Sequence, residues 1–140
     1  MGRSDQGWSD AALDALRQRH RGPLLLPGDD GYDAARAVWN GMIDRRPAVI
    51  ARCRGTADVM AAVDAAREAG LPGSIRGGGH NVGGKAVCDG GVMLDLAEMR
   101  WVRIDAQQRR ARAGGGTLWG DFGHEAQAFG LTCTGGVVST

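Results

Sequence analysis

"AVIARCRGTADVMAAVDAAREAGLPGSIRGGGHNVGG", residues 48–84, holds two short apolar runs, a helical pattern between them and a glycine cluster behind. Pro47 opens "AVIARC", which reads as a short buried strand. Thr56 is an N-cap candidate, and Asp58 sits in the first turn, where the helix dipole favours a carboxylate. Val59, Met60, Val63 and Ala66 then recur at helical spacing. Gly70 is a natural left-handed stop with Pro72 just beyond, and the chain feeds into "GSIR" as a second strand. A strand–helix–strand unit of this kind predicts an α/β fold with the glycine loop directly after its second strand.

Upstream, Ser9 can cap a short helix bearing Leu13 and Leu16, which Arg21-Gly22-Pro23 ends. "PLLLPGDDGY" is an apolar run closed by a turn, and 33–40 reads as helical, with Tyr32, Ala35 and Trp39 on its apolar side. Downstream, "GVMLDL", "WVRID" and "RRARA" read as three short strands, with "AQQ" as a hairpin turn between the last two. Thr117 can cap a second amphipathic helix carrying Leu118, Phe122, Ala126 and Phe129, stopped by Gly130. Residues 1–26 are thus expected to form a helical extension, and 27–140 the domain proper.

With 140 residues there is room for one modest core. A formal charge of +1 gives no reason to expect nucleic acid or an anionic membrane as partner, and the basic runs from Arg17 to Arg21 and from Arg109 to Arg112 read as solvated faces. Cys53, Cys88 and Cys133 lie far apart with no CxxC, which argues against structural zinc, and their odd number argues against a disulfide framework. The amino terminus has no apolar h-region, and no stretch approaches the ~18 apolar residues of a membrane span. A soluble, cytoplasmic protein is the expectation.

Five glycines, Gly77, Gly78, Gly79, Gly83 and Gly84, surround His80, and Lys85 follows. "GHNVGGKA" fits the GxxxxGK part of a nucleotide-triphosphate loop, but Ala86 stands where a magnesium-binding hydroxyl is needed. "VCDGGV" behind it cannot be the helix whose N-terminus should face phosphate. A dinucleotide fingerprint fails for the same missing helix. A metal site on His80 lacks partners, because His20 and His124 have no ligand spacing to it. Two readings stay open: a plain glycine-rich turn with a hydrogen-bonded histidine, or a nest of backbone N–H groups that holds a pyrophosphate and leaves the imidazole beside it.

"RGGGHNVGG" after a short strand, preceded by "RPAVIARCRGTADVMAAVDAAREAGLP", resembles the flavin-binding domain of the vanillyl-alcohol oxidase superfamily, also called PCMH-type. Within it the sequence is most similar to the bacterial berberine-bridge-enzyme-like FAD-linked oxidases. The likeness continues through "AVCDGGVMLDLAEMRWVRIDAQQRRARAGGGTLWGDF" to "GLTCTGGVVST", and begins upstream with "PGDDGYDAARAVWNGMIDRRP".

The resemblance implies two α/β subdomains that clasp FAD, of which this chain is the first with the start of the second. It implies that Arg76, Gly77, Gly78, Gly79, His80, Asn81, Val82, Gly83 and Gly84 wrap the pyrophosphate. His80 matches the histidine bonded to the flavin 8α carbon, and absent Cβ atoms at Gly77, Gly78 and Gly79 would let backbone amides approach phosphate. Gly136, Val138, Ser139 and Thr140 match the start of a second loop near the flavin ring. Some members carry a second flavin bond through a cysteine there; Val138 stands at that position, so attachment through His80 alone is expected, with Cys133 unlinked.

Pro47, Thr56, Asp58, Gly114 to Gly116 and Trp119 read as structural, and Asp95 as a strand-end hydrogen-bond acceptor. The implied reaction is oxidation of an alcohol, sugar or similar C–H donor, with hydride passing to flavin N5 and dioxygen reoxidising the flavin. The family's general base, usually a tyrosine in the carboxy-terminal part, has no counterpart, and Tyr32 is a poor candidate. The expectation is therefore an oxidase fragment that could pair with a downstream fragment; a non-catalytic flavin- or nucleotide-binding module is the alternative.

Overall fold

The computed structural model describes residues 8–138. Helix α1 (Asp10–Arg19) leads to strand β1 (Leu24–Leu25), the short helix α2 (Tyr32–Arg36) and strand β2 (Val49–Arg52). Helix α3 (Thr56–Glu68), strand β3 (Gly73–Arg76) and strand β4 (Val92–Asp95) follow. The chain continues as a hairpin of β5 (Val102–Asp105) and β6 (Arg110–Ala113), then helix α4 (Trp119–Gln127).

The main sheet has the order β1-β2-β4-β3, with β1 antiparallel to β2 and the other pairs parallel. The two strands flanking α3 are therefore not neighbours, because β4 inserts between them. All four residues of β4 are buried, whereas β3 has exposed Gly73 and Ile75. The strand with the apolar run Val92–Leu94 takes an interior place beside β2, where both faces are covered. Gly91 permits this insertion, since a Cβ there would lie 2.0 Å from the Pro72 carbonyl oxygen.

Each sheet face has its own core. Val49, Ala51, Val92 and Leu94 pack with the alanines of α3 and with Leu16 of α1. On the other face Ile50 and Met93 pack with Tyr32, Ala35 and Val87. The period-two alternation of the strands divides them this way. α3 stops at Gly70 (φ +64°), with the Leu71 N–H donating to the Ala66 carbonyl at 2.9 Å.

Several local expectations are corrected. Gly55, not Thr56, is the α3 N-cap, and no side chain caps there. The Asp58 carboxylate instead accepts the N–H of Arg54 and that of Arg21, tying the α1–β1 connection to α3. α2 ends at Arg36, and Trp39 is left 69% exposed. Thr117 does not cap α4; its hydroxyl donates to the Trp101 carbonyl at 3.0 Å, and Leu118 takes the cap position. Phe129 falls beyond α4 and is exposed. The β5–β6 turn spans 106–109, with Arg109 at φ +53° and the Asp105 carboxylate accepting the Gln108 N–H.

Among the described residues, no helix is long and apolar enough to cross a membrane.

Candidate functional site

β3 delivers the chain at Arg76 to the carboxyl end of the sheet, and the glycine loop begins there. A cleft of about 360 Å³ opens between this loop and the segment leading into α4. Arg76, Gly77, Gly78 and His80 form one wall; Arg100, Gly116, Thr117 and Trp119 form much of the other, with Val138 at the rim. The structure thus gathers the first half of the glycine motif with Val138, which lies far along the chain.

The glycines serve different purposes. At Gly77 a Cβ would come within 2.6 Å of the Gly115 carbonyl oxygen, so the two walls touch through backbone alone. At Gly78 a Cβ would lie 2.7 Å from Cε1 and 2.9 Å from Nδ1 of His80, because the imidazole folds back over this residue. Gly79 has φ +73°, a left-handed conformation that disfavours a side chain. The sequence expectation placed phosphate approach behind all three; here the Gly115 backbone already excludes a Cβ at 77, the His80 ring lies where one would stand at 78, and the backbone conformation disfavours one at 79.

Gly79, Asn81, Val82, Gly83 and Gly84 do not line the cleft. Asn81 closes the loop on itself: its carbonyl accepts the Gly84 N–H at 3.0 Å and its side-chain oxygen the Lys85 N–H at 3.2 Å. Upstream residues hold the loop from outside. The Trp39 N–H donates to the Gly79 carbonyl, Asn40 Nδ2 to the Val82 carbonyl, and Arg45 Nη1 to the carbonyls of Gly84 and Val87. Sequence reasoning missed Asn40 and Arg45, which carry no motif signal. Gly136 does not line the cleft, but it follows Gly135, where a Cβ would lie 2.7 Å from the Trp119 ring. Ser139 and Thr140 lie outside the described residues.

Trp119 and Gly116 read as packing in the sequence, yet both line the cleft. Trp119 also sets its ring edge-on to Phe122, with centroids 5.4 Å apart. Arg100, another wall residue, pairs with Asp121 of α4. Asp95 is a strand-end acceptor as expected, taking the Ala97 N–H at 3.1 Å, and it also meets two arginines. Among the described residues no cluster of three or more His, Cys, Asp or Glu is placed to hold a metal ion.

A cleft with two arginines, exposed loop backbone and few carboxylates suits an anion. Arg76 Nε is shielded from solvent and has no hydrogen-bond partner, so this wall keeps donor capacity beyond its internal contacts. The residues present fit a phosphate-bearing cofactor.

Residues 47–139 match the family described as FAD binding domain. The chain is 44% identical over 117 residues to (R)-6-hydroxynicotine oxidase of Paenarthrobacter nicotinovorans, covering 84% of this chain and 26% of that protein. It is 37% identical over 91 residues to glucooligosaccharide oxidase of Sarocladium strictum, covering 64% and 18%. The crystal structure of 6-hydroxy-D-nicotine oxidase from Arthrobacter nicotinovorans superposes with a TM-score of 0.74 at 44% identity, covering 79% of this chain and 24% of that one. A chitooligosaccharide oxidase superposes equally well, with a TM-score of 0.74 at 26% identity over 86% of this chain and 26% of that one.

The fold and the family match define a flavin-binding domain of the PCMH type. The chain belongs to the FAD-binding-domain family of FAD-linked, berberine-bridge-enzyme-like oxidoreductases. It spans about a quarter of the length of the nicotine oxidase.

Proposed function

We propose that this chain supplies the pyrophosphate-binding wall of an FAD site in an oxidase acting on an alcohol, sugar or similar C–H donor. The observation that carries the reading is the cleft in which Arg76, Gly77, Gly78 and His80 face Arg100 and Trp119. In such an enzyme FAD supplies the redox chemistry, with hydride passing to flavin N5 and dioxygen as final acceptor, while protein supplies position and electrostatics.

The residues of this chain bind and orient. Arg76 and the loop amides after it counter the charge of a pyrophosphate. Asn81, Asn40 and Arg45 act indirectly, fixing the loop so that those donors need no reorganisation on binding. His80 is the proposed covalent attachment: its neutral imidazole nitrogen would replace one hydrogen of the flavin 8α carbon, with the hydrogens lost from carbon and nitrogen passing as two protons and two electrons to dioxygen. Val138 is no nucleophile, and exposed Cys133 lies outside the described cleft, so attachment through His80 alone is the reading supported.

Titration of the purified chain with FAD, followed by flavin fluorescence and thermal stability, tests the reading. Stabilisation by FAD is expected; stabilisation by Mg-ATP alone would overturn it. In holoenzyme that carries the remaining flavin domain, His80→Ala should make the flavin releasable by acid, and Cys133→Ala should leave attachment unchanged.

A non-catalytic flavin- or nucleotide-binding module is the second reading. Tyr32, the single tyrosine, is 1% exposed and donates its hydroxyl to the Pro47 carbonyl, so it cannot serve as a substrate base. Oxygen consumption with a panel of sugars, alcohols and amines separates the two readings.

A further inference from the structure

At the carboxyl ends of three neighbouring parallel strands, Arg52, Asp95 and Arg76 occupy one rung. Arg52 of β2 and Arg76 of β3 both register with Asp95 of β4, which lies between them. The Asp95 side chain is 3% exposed. Its Oδ2 is 3.4 Å from Arg52 Nε, and its Oδ1 is 3.5 Å from Arg76 Nη1. One buried carboxylate is thus shared by two guanidiniums, leaving the trio with a net positive charge.

The two arginines differ in where they end. Arg76 lines the cleft, and Arg52 does not. Without Arg52, the Asp95 charge would fall wholly on Arg76, and a neutral Arg76–Asp95 pair attracts an anion less than a free guanidinium. Arg52 Nε is held by its ion pair with Asp95, whereas Arg76 reaches Asp95 through Nη1 and its Nε, shielded from solvent, has no hydrogen-bond partner, so Asp95 does not saturate the donors of Arg76.

We infer that Arg52 is a charge-balancing residue for the cleft: it takes up the Asp95 charge from the far strand and so leaves the Arg76 charge to a pyrophosphate ligand. The inference rests on the flavin-binding reading above, and it deepens that reading by adding a residue that never touches the ligand. Arg52 is a positioning residue, acting through Asp95.

The test compares FAD with riboflavin, which has the ring system but no phosphate. Fluorescence titrations of the full chain at two salt concentrations give both affinities. Arg52→Gln should weaken FAD binding about three- to fivefold, as for a partly exposed charge contact, and flatten its salt dependence. Riboflavin affinity should stay as in the wild type. Arg52→Lys should restore FAD affinity, and the double variant Arg52→Gln/Asp95→Asn should recover most of the loss, because it removes both balancing charges together. The double variant also reports if the single one folds poorly, with melting curves recorded for each.

Unchanged FAD affinity in Arg52→Gln would overturn the inference. Equal losses for FAD and riboflavin would also overturn it, as would failure of lysine and of the double variant to rescue; each would mean that Arg52 serves only to hold the strands. A wild-type chain that binds neither flavin would overturn the flavin-binding reading together with this one.

Discussion

Asp58, in the first turn of α3, accepts the backbone N–H of Arg21 at 2.9 Å, joining two points 37 residues apart. The same carboxylate accepts the Arg54 N–H at 2.9 Å, and its residue is 4% exposed. It therefore seals the junction where the chain after α1 meets the turn after β2. Burial raises its pKa, but the hydrogen bonds from Arg21 and Arg54 together with nearby His20 outweigh that effect, and the net shift is downward.

The sign of the pH effect follows. A carboxylate with a lowered folded-state pKa contributes stability above its unfolded value near 3.8, and loses it as pH falls through the lower folded value. Asp58→Ala should cost about 1–3 kcal/mol at neutral pH, because it leaves two backbone N–H groups without their acceptor. The difference from wild type should shrink below pH 4. Urea midpoints measured from pH 7 to pH 3 check both statements.

Tyr32 gives a second stability test. Its hydroxyl donates to the Pro47 carbonyl at 2.6 Å inside the core of the α2 face, and burial raises its pKa. Tyr32→Phe keeps the ring and should cost about 0.5–1.5 kcal/mol by urea unfolding. Flavin affinity should not change, since Tyr32 does not line the cleft.

The cysteines should separate cleanly by reactivity. Burial, followed by the charges of Asp58 and Asp95, pushes the Cys53 thiol up to about 12. Its sulfur lies 3.7 Å from His20 Nε2, and His20 Nδ1 donates to the Gly22 carbonyl at 3.0 Å. This cysteine–histidine contact is packing, because the thiolate form is scarce at neutral pH. Labelling the native chain with a maleimide at pH 7 should modify exposed Cys133 rapidly and Cys53 only after unfolding. Peptide mass mapping reads the order.

Two glycine-to-alanine changes should act in opposite directions. Gly77→Ala places a methyl 2.6 Å from the Gly115 carbonyl oxygen, and moving backbone to relieve it should cost about 1–3 kcal/mol. Because Gly77 joins the two cleft walls, flavin affinity should fall too. Gly120, within α4, has open space where its Cβ would stand. Gly120→Ala should therefore stabilise the chain by about 0.5–1 kcal/mol through helix propensity. Thermal melts with and without FAD check the pair.

The α/β class, the extent of α3, the strands β2 to β6 and the glycine loop after β3 were all legible in the sequence. They are written locally, in apolar periodicity, in Gly70 as a helix stop and in runs such as "VMLD". The cofactor was legible through motif resemblance, and His80 was expected within that loop. What local pattern could not carry was adjacency. Nothing near "GSIR" says that β4, encoded after the loop, will insert between β2 and β3; the sheet decides that by burying its most apolar strand on both faces. That insertion alone brings Arg52, Asp95 and Arg76 onto one rung. Capping was likewise decided in three dimensions: Thr56 and Thr117 had the right chemistry in the right places, but Asp58 bonds to the distant Arg21 N–H and Thr117 to the Trp101 backbone. Hydrogen-bond capacity goes to whichever unpaired group tertiary packing brings within reach, and sequence spacing does not record which one that is.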